Sequence, residues 1–468
     1  MTIQFRKLAL VVGVSLAATP LWVGASESSS ITPKQAGSTQ VERYEPLMQL
    51  IHAAIEQDAA RKQFYAQSVA MREMGVASAT LMDPKVKVGF GGLPTDSFQF
   101  DQDPMTNLSV GVMQQFERGS TLELNQKKAN QQAQGVNLKV EARELDIANS
   151  MTTLWLELGY QQVTEQILRE KKRLMTELES FVKTNYSNGK SEAQDWLDAQ
   201  LQVAKLDEKL EANQQMQRRL MAQMSEWLGA DWLDSFASSL RKLEASNQRN
   251  WLKLERVLAS TPDATRHYTA LRLHPMVKMA DSQIQVSKTQ VDIAEQAYTP
   301  QFGIEVMYAH RQANNMRGEP TSDLVSAYLT LDIPLFTENR QDKNKSAAQY
   351  QVGAAQLQRD TLLQQMNAKV NTLLSDRINL QQRLARYQSS LMPQINARIR
   401  AVERGYQNNT AQFSDVIAAS NDELALQLEQ QRLLTDLNVV NSNLAALLSA
   451  FEFQVDSPDL THTYRSIQ

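Results

Sequence analysis

Five histidines, His52, His267, His274, His310 and His462, are the residues best suited to metal or proton-transfer chemistry, and none stands at ligand spacing from another. The chain has no cysteine, which removes thiolate metal sites, cysteine nucleophiles, disulfide scaffolds and a lipidated N-terminal cysteine together. Thioethers suit Cu(I), and Met71/Met74, Met221/Met224 and Met276/Met279 fall at i,i+3. Methionine at helical spacing is more often packing, so no metal site is assigned to them. No Gly-rich phosphate loop and no Ser/His/Asp constellation is present. The expectation is a protein without catalytic residues, resident metal or cofactor. What does repeat is a short polar turn, Tyr186-Ser-Asn188-Gly189 and Tyr406-Gln-Asn408-Asn409, each followed by an acid, Asp195 and Asp415. An acid just inside a helix start is favoured by the helix dipole, which alone would select that residue type.

These residues stand in a chain of 468 with 48 Lys and Arg against 52 Asp and Glu, a formal charge of −4. That balance argues against nucleic acid as a partner, because phosphate neutralisation needs a net basic face. Residues 1–25 read as a secretory signal: basic Arg6-Lys7, an apolar run from Leu8 to Val23, then small Gly24-Ala25 before polar Ser26. The mature chain therefore works outside the cytoplasm. No later apolar run reaches the ~18 residues of a membrane-spanning helix, so entry into a bilayer would have to be as a closed β-barrel.

The mature chain reads as one unit written twice. An offset of 220 aligns Tyr186 with Tyr406, Asp195 with Asp415, Leu228 with Leu448 and Phe116 with Phe336, while Pro84 matches Pro300 at 216. Each copy runs helix, Pro, strand, polar loop, strand, very long helix, turn, second long helix. Val86, Val88 and Phe90, then Leu108, Val110 and Val112, alternate with polar or small residues in copy one. Phe302, Ile304, Val306 and Tyr308, then Val325, Ala327, Leu329 and Leu331, do so in copy two. Period two with one apolar face is a half-buried strand, and runs of ~9–10 residues suit a barrel wall between lipid and water. Val306 and Leu329 are expected to meet lipid, Glu305 and Thr330 the lumen. Leu363, Met366, Val370, Leu373, Arg377, Leu380, Leu384, Tyr387 and Leu391 alternate at four and three, and Leu426, Leu433, Leu437, Val440, Leu444 and Leu447 follow the same spacing. That is the spacing of helix-on-helix coiled-coil packing. Four strands cannot close a barrel, and free edges in hydrocarbon cost several kcal/mol per unpaired group. Two pooled chains give eight strands and a filled interior; three give twelve and room for a channel.

The fold class expected is therefore mixed α and transmembrane β: four barrel strands per chain, a trimeric twelve-stranded barrel, and long coiled-coil helices forming a wall with water on both sides. The segments are a signal peptide 1–25, a linker 26–43, a first repeat 44–235 (hairpin 84–116, tip near 186–190), an equatorial connection 236–272, a second repeat 273–452 (hairpin 300–336, tip near 406–410) and a tail 453–468.

The chain resembles the TolC-type outer-membrane efflux channels. The resemblance is carried by HPMVKMADSQIQVSKTQVDIAEQAYTPQFGIEVMY from His274 to Tyr308, by LTLDIPLF from Leu329 to Phe336, and by Gly405 to Leu448 with its Tyr-x-x-Asn tip and Asp415-Val416. It implies a homotrimer in the outer membrane whose helices form a long periplasmic α-helical coiled-coil tunnel, a passive conduit docked to a periplasmic membrane-fusion adaptor and an inner-membrane RND-type pump. By the same resemblance Asp195 and Tyr406 hold the closed periplasmic end between protomers, Asp415 rings the constriction, and Tyr186, Asn188, Gly189, Asn408 and Asn409 form the tips that meet the adaptor. The pattern departs at Ala411, where a basic partner is expected, and at Ala418, where a second aspartate ring would fall. Met82–Gly119 looks like the same hairpin in channels paired with heavy-metal exporters, copper and silver among them. The competing reading is a periplasmic coiled-coil adaptor, which would need many more strands than four and one helical hairpin rather than two.

Overall fold

The strands and helices follow the repeated order, and in the computed structural model they are described over residues 38–229, 232, 243–260, 265–408, 410–453 and 455–458. The signal peptide, most of the linker, Asn409, parts of the 236–272 connection and the end of the tail lie outside the described residues. The chain divides into two units, Met1–Arg43 and Tyr44–Gln468; of the first, only the start of α1 is described.

The first two helices among the described residues are α1 (Ser38–Gln57) and α2 (Ala59–Ser78). Between them the Asp58 carboxylate accepts the Arg61 N–H at 2.6 Å and caps α2. The matching helix of the second copy, α7 (Pro275–Gln296), is capped the same way: His274 Nδ1 accepts the Met276 N–H at 3.2 Å. Pro275 sits in the first turn, where its missing N–H leaves nothing unsatisfied. Asp58 and His274 are 216 positions apart, the offset of the upstream half of the repeat.

The strands β1 (Lys85–Gly91), β2 (Asn107–Gln115), β3 (Gln301–His310) and β4 (Leu324–Asp332) form one antiparallel sheet in the order β1-β2-β3-β4. Its register aligns Val88 with Val110, Val110 with Tyr308 and Tyr308 with Val325. Both repeats therefore put their apolar residues on one face and Lys87, Ser109, Glu305 and Thr330 on the other. Along β3 the apolar positions are the exposed ones and the polar positions are half-covered, so the sheet curls with its polar face concave.

Each strand continues into a helix, and the helices keep the strand order. α2 packs on α3 (Thr121–Ser187), α3 on α7, and α7 on α8 (Gln341–Arg386). The 67 residues of α3 span about 100 Å. In the second copy the same length, Gln341 to Gln407, is covered by α8, one π-helical turn at Tyr387–Leu391, and α9 (Met392–Gln407). The π turn lies just before Pro393, whose ring would clash with the carbonyl four residues back in a regular helix. Returning helices α4 (Ala193–Leu228) and α10 (Phe413–Leu447) pack beside α3 and α8.

Leu363, Met366, Val370, Leu380 and Leu384 are buried, as their heptad spacing predicts. On α10 the buried face also holds Thr435, Asn438, Asn441 and Ser442, which apolar periodicity does not register. Ser442 Oγ donates to Asn149 Oδ1 of α3 at 2.7 Å, while Thr435 and Asn438 meet a belt whose described parts, 243–260 and 265–271, hold α5 (Leu252–Ala259) and α6 (Tyr268–Leu271). Trp251 Nε1 donates to Asn438 Oδ1 at 2.9 Å, and Asn247 Nδ2 donates to Thr435 Oγ1 at 3.3 Å. The belt crosses α3 at Gly159, where a Cβ would stand 2.2 Å from the Ser246 carbonyl carbon. Around that crossing lies the largest apolar core, including Ile51, Trp155, Met221, Met224, Leu271, Val370 and Leu444.

Two outcomes follow from this packing. Gly159→Ala should destabilise the protein by about 1–3 kcal/mol through overpacking, whereas Gly353→Ala, with open space around it, should be neutral or stabilising by up to about 1 kcal/mol. Thermal melts of the detergent-solubilised variants separate the two. Burial depresses the His274 pKa to about 4 from 6.5. Because the folded value is the lower one, stability is complete above pH 6.5 and is lost as pH falls towards 4, by about 3 kcal/mol at the limit. His274→Asn keeps a cap and should remove that slope from melts taken between pH 7 and 4.

Candidate functional site

Two surfaces carry the residues singled out by sequence. The first is the sheet. On its convex face Val86, Val88, Phe90, Leu108, Val110, Val112, Ile304, Val306 and Leu329 are all exposed large hydrophobics. On the concave face Lys87 Nζ reaches Glu305 Oε1 at 3.2 Å over Gly111 of the intervening strand. Lys87 was not anticipated as a partner; strand register plus opposite charge on one face is the signal that finds it. Val306 and Leu329 lie on the convex face, Glu305 and Thr330 on the concave one.

The second surface is the end of the long helices. α3 ends at Ser187, and the turn is closed by Lys190 N–H donating to the Asn185 carbonyl at 2.8 Å, with Gly189 in the left-handed region at φ 70°. At the second tip Thr410 N–H donates to the Gly405 carbonyl at 2.8 Å, the same bond shifted by 220. Asn188 and Asn408 are the two C-cap residues; Asn409 lies outside the described residues. Tyr186 stacks on Trp196 at 5.8 Å between centroids, and Tyr406 lies against Phe413 at 5.9 Å. The two tips therefore share a backbone closure and an aromatic pair, although the pairs differ in residue type.

Asp195 and Asp415 occupy the third position of α4 and α10. Asp415 Oδ2 accepts the Gln412 N–H at 3.0 Å in a reciprocal capping box. Burial raises the Asp195 pKa above its usual value, against the hydrogen bond from the Glu192 backbone that lowers it. Both aspartates thus satisfy helix starts, as the dipole argument expects. Asp415 is exposed, and Ala418 follows it on the same side of α10. Asp195 and Tyr406 line one cleft of about 690 Å³, and no hydrogen bond joins them within the chain. The cleft also holds Lys171 and Glu423, paired at 2.7 Å, and Glu403. Sequence reasoning missed that pair, since its members are 252 positions apart and neither belongs to a repeated motif.

The methionine pairs separate. Met221 and Met224 are core. Met71, Met276 and Met279 line a cleft of about 870 Å³ with Gln131, Gln358 and Gln365. Among the described residues no group of three or more His, Cys, Asp or Glu could hold a metal ion.

Residues 267–450 match the family described as Outer membrane efflux protein. No curated protein matches the chain in sequence. Among solved structures, CusC superposes with a TM-score of 0.69 at 14% identity, covering 89% of this chain and 94% of that one. The CmeC outer membrane channel of Campylobacter jejuni gives 0.65 at 11%, covering 96% and 97%. VceC of Vibrio cholerae gives 0.64 at 16%, covering 87% and 96%. At such identities the likeness is one of fold, and it extends over both repeats, whereas the family match falls on the second. The second repeat thus carries the outer membrane efflux protein pattern, and the described residues of both repeats share the fold of these solved channels.

Proposed function

We propose that the chain is a passive efflux channel: a homotrimer whose twelve pooled strands cross the outer membrane and whose helices form a tunnel in the periplasm, open to an adaptor and an RND-type pump. The observation that carries this is the sheet itself. One face is apolar through all four strands, and β1 and β4 have no partner on their outer edges among the described residues. Unpaired peptide groups are incompatible with hydrocarbon, so copies of the chain must supply them. Phe336 supports the same reading. Its repeat mate Phe116 stacks on Phe302 of the next strand at 5.0 Å, whereas Phe336, beyond the edge strand β4, is 91% exposed. The equivalent of Phe302 for Phe336 is Val86 of another copy.

The exported solute is proposed to be a heavy-metal cation such as copper or silver, on the resemblance of Met82–Gly119 to hairpins of metal-efflux channels. A conduit needs no tight site, since it must release what it admits. Asp195 and Tyr406 are proposed to tie neighbouring protomers at the periplasmic end, with Asp415 as the charge ring, and the tips at Tyr186, Asn188, Gly189, Asn408 and Asn409 as the adaptor contact. In support, Asp195 and Tyr406 line one cleft at the helix ends without bonding to each other.

Val306→Arg near mid-bilayer should cost roughly 2–4 kcal/mol and reduce assembly; Thr330→Arg on the concave face should assemble as the parent does. Crosslinking in mild detergent reads both, and a parental ladder ending at dimer would refute the trimer. Because Asp195 and Asp415 also close helix starts, the gate is better probed with Asn than with Ala. Asp195→Asn with Tyr406→Phe should raise single-channel conductance, and Asp415→Asn should weaken cation preference. Parental conductance in the double variant would place the closure elsewhere.

A further inference from the structure

All four strands leave the sheet for helices at one end, so the two hairpin loops, 92–106 and 311–323, share the other. They differ in chemistry. The second has Arg311, Arg317, Glu319 and Asp323, with Met316 its single large apolar residue. The first, LPTDSFQFDQDPM from Leu93 to Met105, carries Phe98, Phe100 and Met105. Phe98 is 68% exposed and Met105 is 69% exposed.

These side chains are held outward by a built loop. Phe98 N–H donates to the Pro94 carbonyl at 2.9 Å, and the Phe98 backbone takes φ 54°, the left-handed region. A bulky residue there is strained where Gly or Asn would be relaxed. Asp103 Oδ1 accepts the Met105 N–H at 2.8 Å. Thr106 Oγ1 donates to the Gly92 carbonyl at 2.7 Å and closes the base of the loop. In water, an aromatic ring that is both strained and exposed gains nothing from its position.

The loop is also continuous with the apolar face. The Phe100 ring meets Phe90 edge-on, 5.9 Å between centroids at 77°. Phe90 pairs with Leu108, and Leu108 with His310, which form the outermost row of the convex face. Phe100 shares a shallow depression with Leu108 and His310. The aromatic loop therefore extends the convex face past the ends of the strands. Asp96 and Asp101 flank the rings, so the loop is amphipathic and suits a headgroup boundary rather than an acyl core.

We propose that the β1–β2 loop is a lipid anchor, with Phe98, Phe100 and Met105 seated in the interface of the bilayer that the convex face enters. This rests on the reading that the convex face meets lipid. Each chain would contribute one such anchor, beside edge strand β1, while the β3–β4 loop stays in water.

A chain without cysteine allows a direct test. Phe98→Cys, Phe100→Cys, Val306→Cys and Met316→Cys, each in the full chain, are labelled with a nitroxide and reconstituted in phosphatidylcholine/phosphatidylglycerol vesicles. Power saturation then compares access of oxygen, which concentrates in lipid, with access of a water-soluble nickel chelate. Labels at 98 and 100 should shift towards oxygen, as at 306, and the label at 316 towards nickel. If 98 and 100 behave like 316 while 306 reports lipid, the anchor is refuted and the membrane reading stands. If 306 itself reports water, the membrane reading fails and the anchor with it. Labels at 98 and 100 shielded from both reagents would show a protein contact between copies and overturn the lipid assignment.

Discussion

A peptide N–H or C=O left unpaired in hydrocarbon costs several kcal/mol, and that constraint organises this chain. One hairpin cannot satisfy it, and neither can the four strands of two hairpins, because β1 and β4 still present bare edges. The junction between β2 and β3 shows how one repeat pairs with the next: eight residues in antiparallel register, with Phe116 stacked on Phe302 below it. An edge that ends in an unstacked Phe336 is the same junction without its second half. Duplication within the chain satisfies the two inner edges, and the proposed repetition of the chain would satisfy the outer ones by the same junction.

The sheet passes its order to the helices. Since α2, α3, α7 and α8 continue the four strands, the strand order fixes which helices lie side by side for the next stretch. A layer that long has little apolar surface per residue, and its largest core is concentrated where the belt crosses α3 and α10. There the packing is partly polar. Asn247, Trp251, Thr435 and Asn438 bond across the crossing, and Gly159 lets two backbones meet. Buried polar groups that are fully bonded specify a single arrangement, which a sliding apolar seam of Leu and Val would not.

The far ends of the helices show one residue meeting two demands. Asp195 and Asp415 satisfy backbone donors at helix starts, and the same positions place a carboxylate at the end of the layer. Capping selects Asp without any functional pressure, so residue type alone cannot separate capping from a role at the end of the layer; Asp195 differs from Asp415 in lining a cleft with Tyr406.

The duplicated order, the alternating strands, the length of the helices and the heptad burial of Leu363 to Leu384 were legible in sequence, because each depends on local periodicity or on self-similarity at a fixed offset. The tip turns were legible for the same reason: Asn185 and Gly405 close them with one shared backbone bond. Strand neighbours across repeats, the Lys87–Glu305 and Lys171–Glu423 pairs, the buried polar stripe of α10 and the crossing at Gly159 were not. Each joins residues at least 87 positions apart, and nothing local in the sequence encodes which distant segment will arrive. Tertiary structure decided them, because only the packed layer brings those segments within hydrogen-bonding distance and removes the water that would otherwise satisfy them.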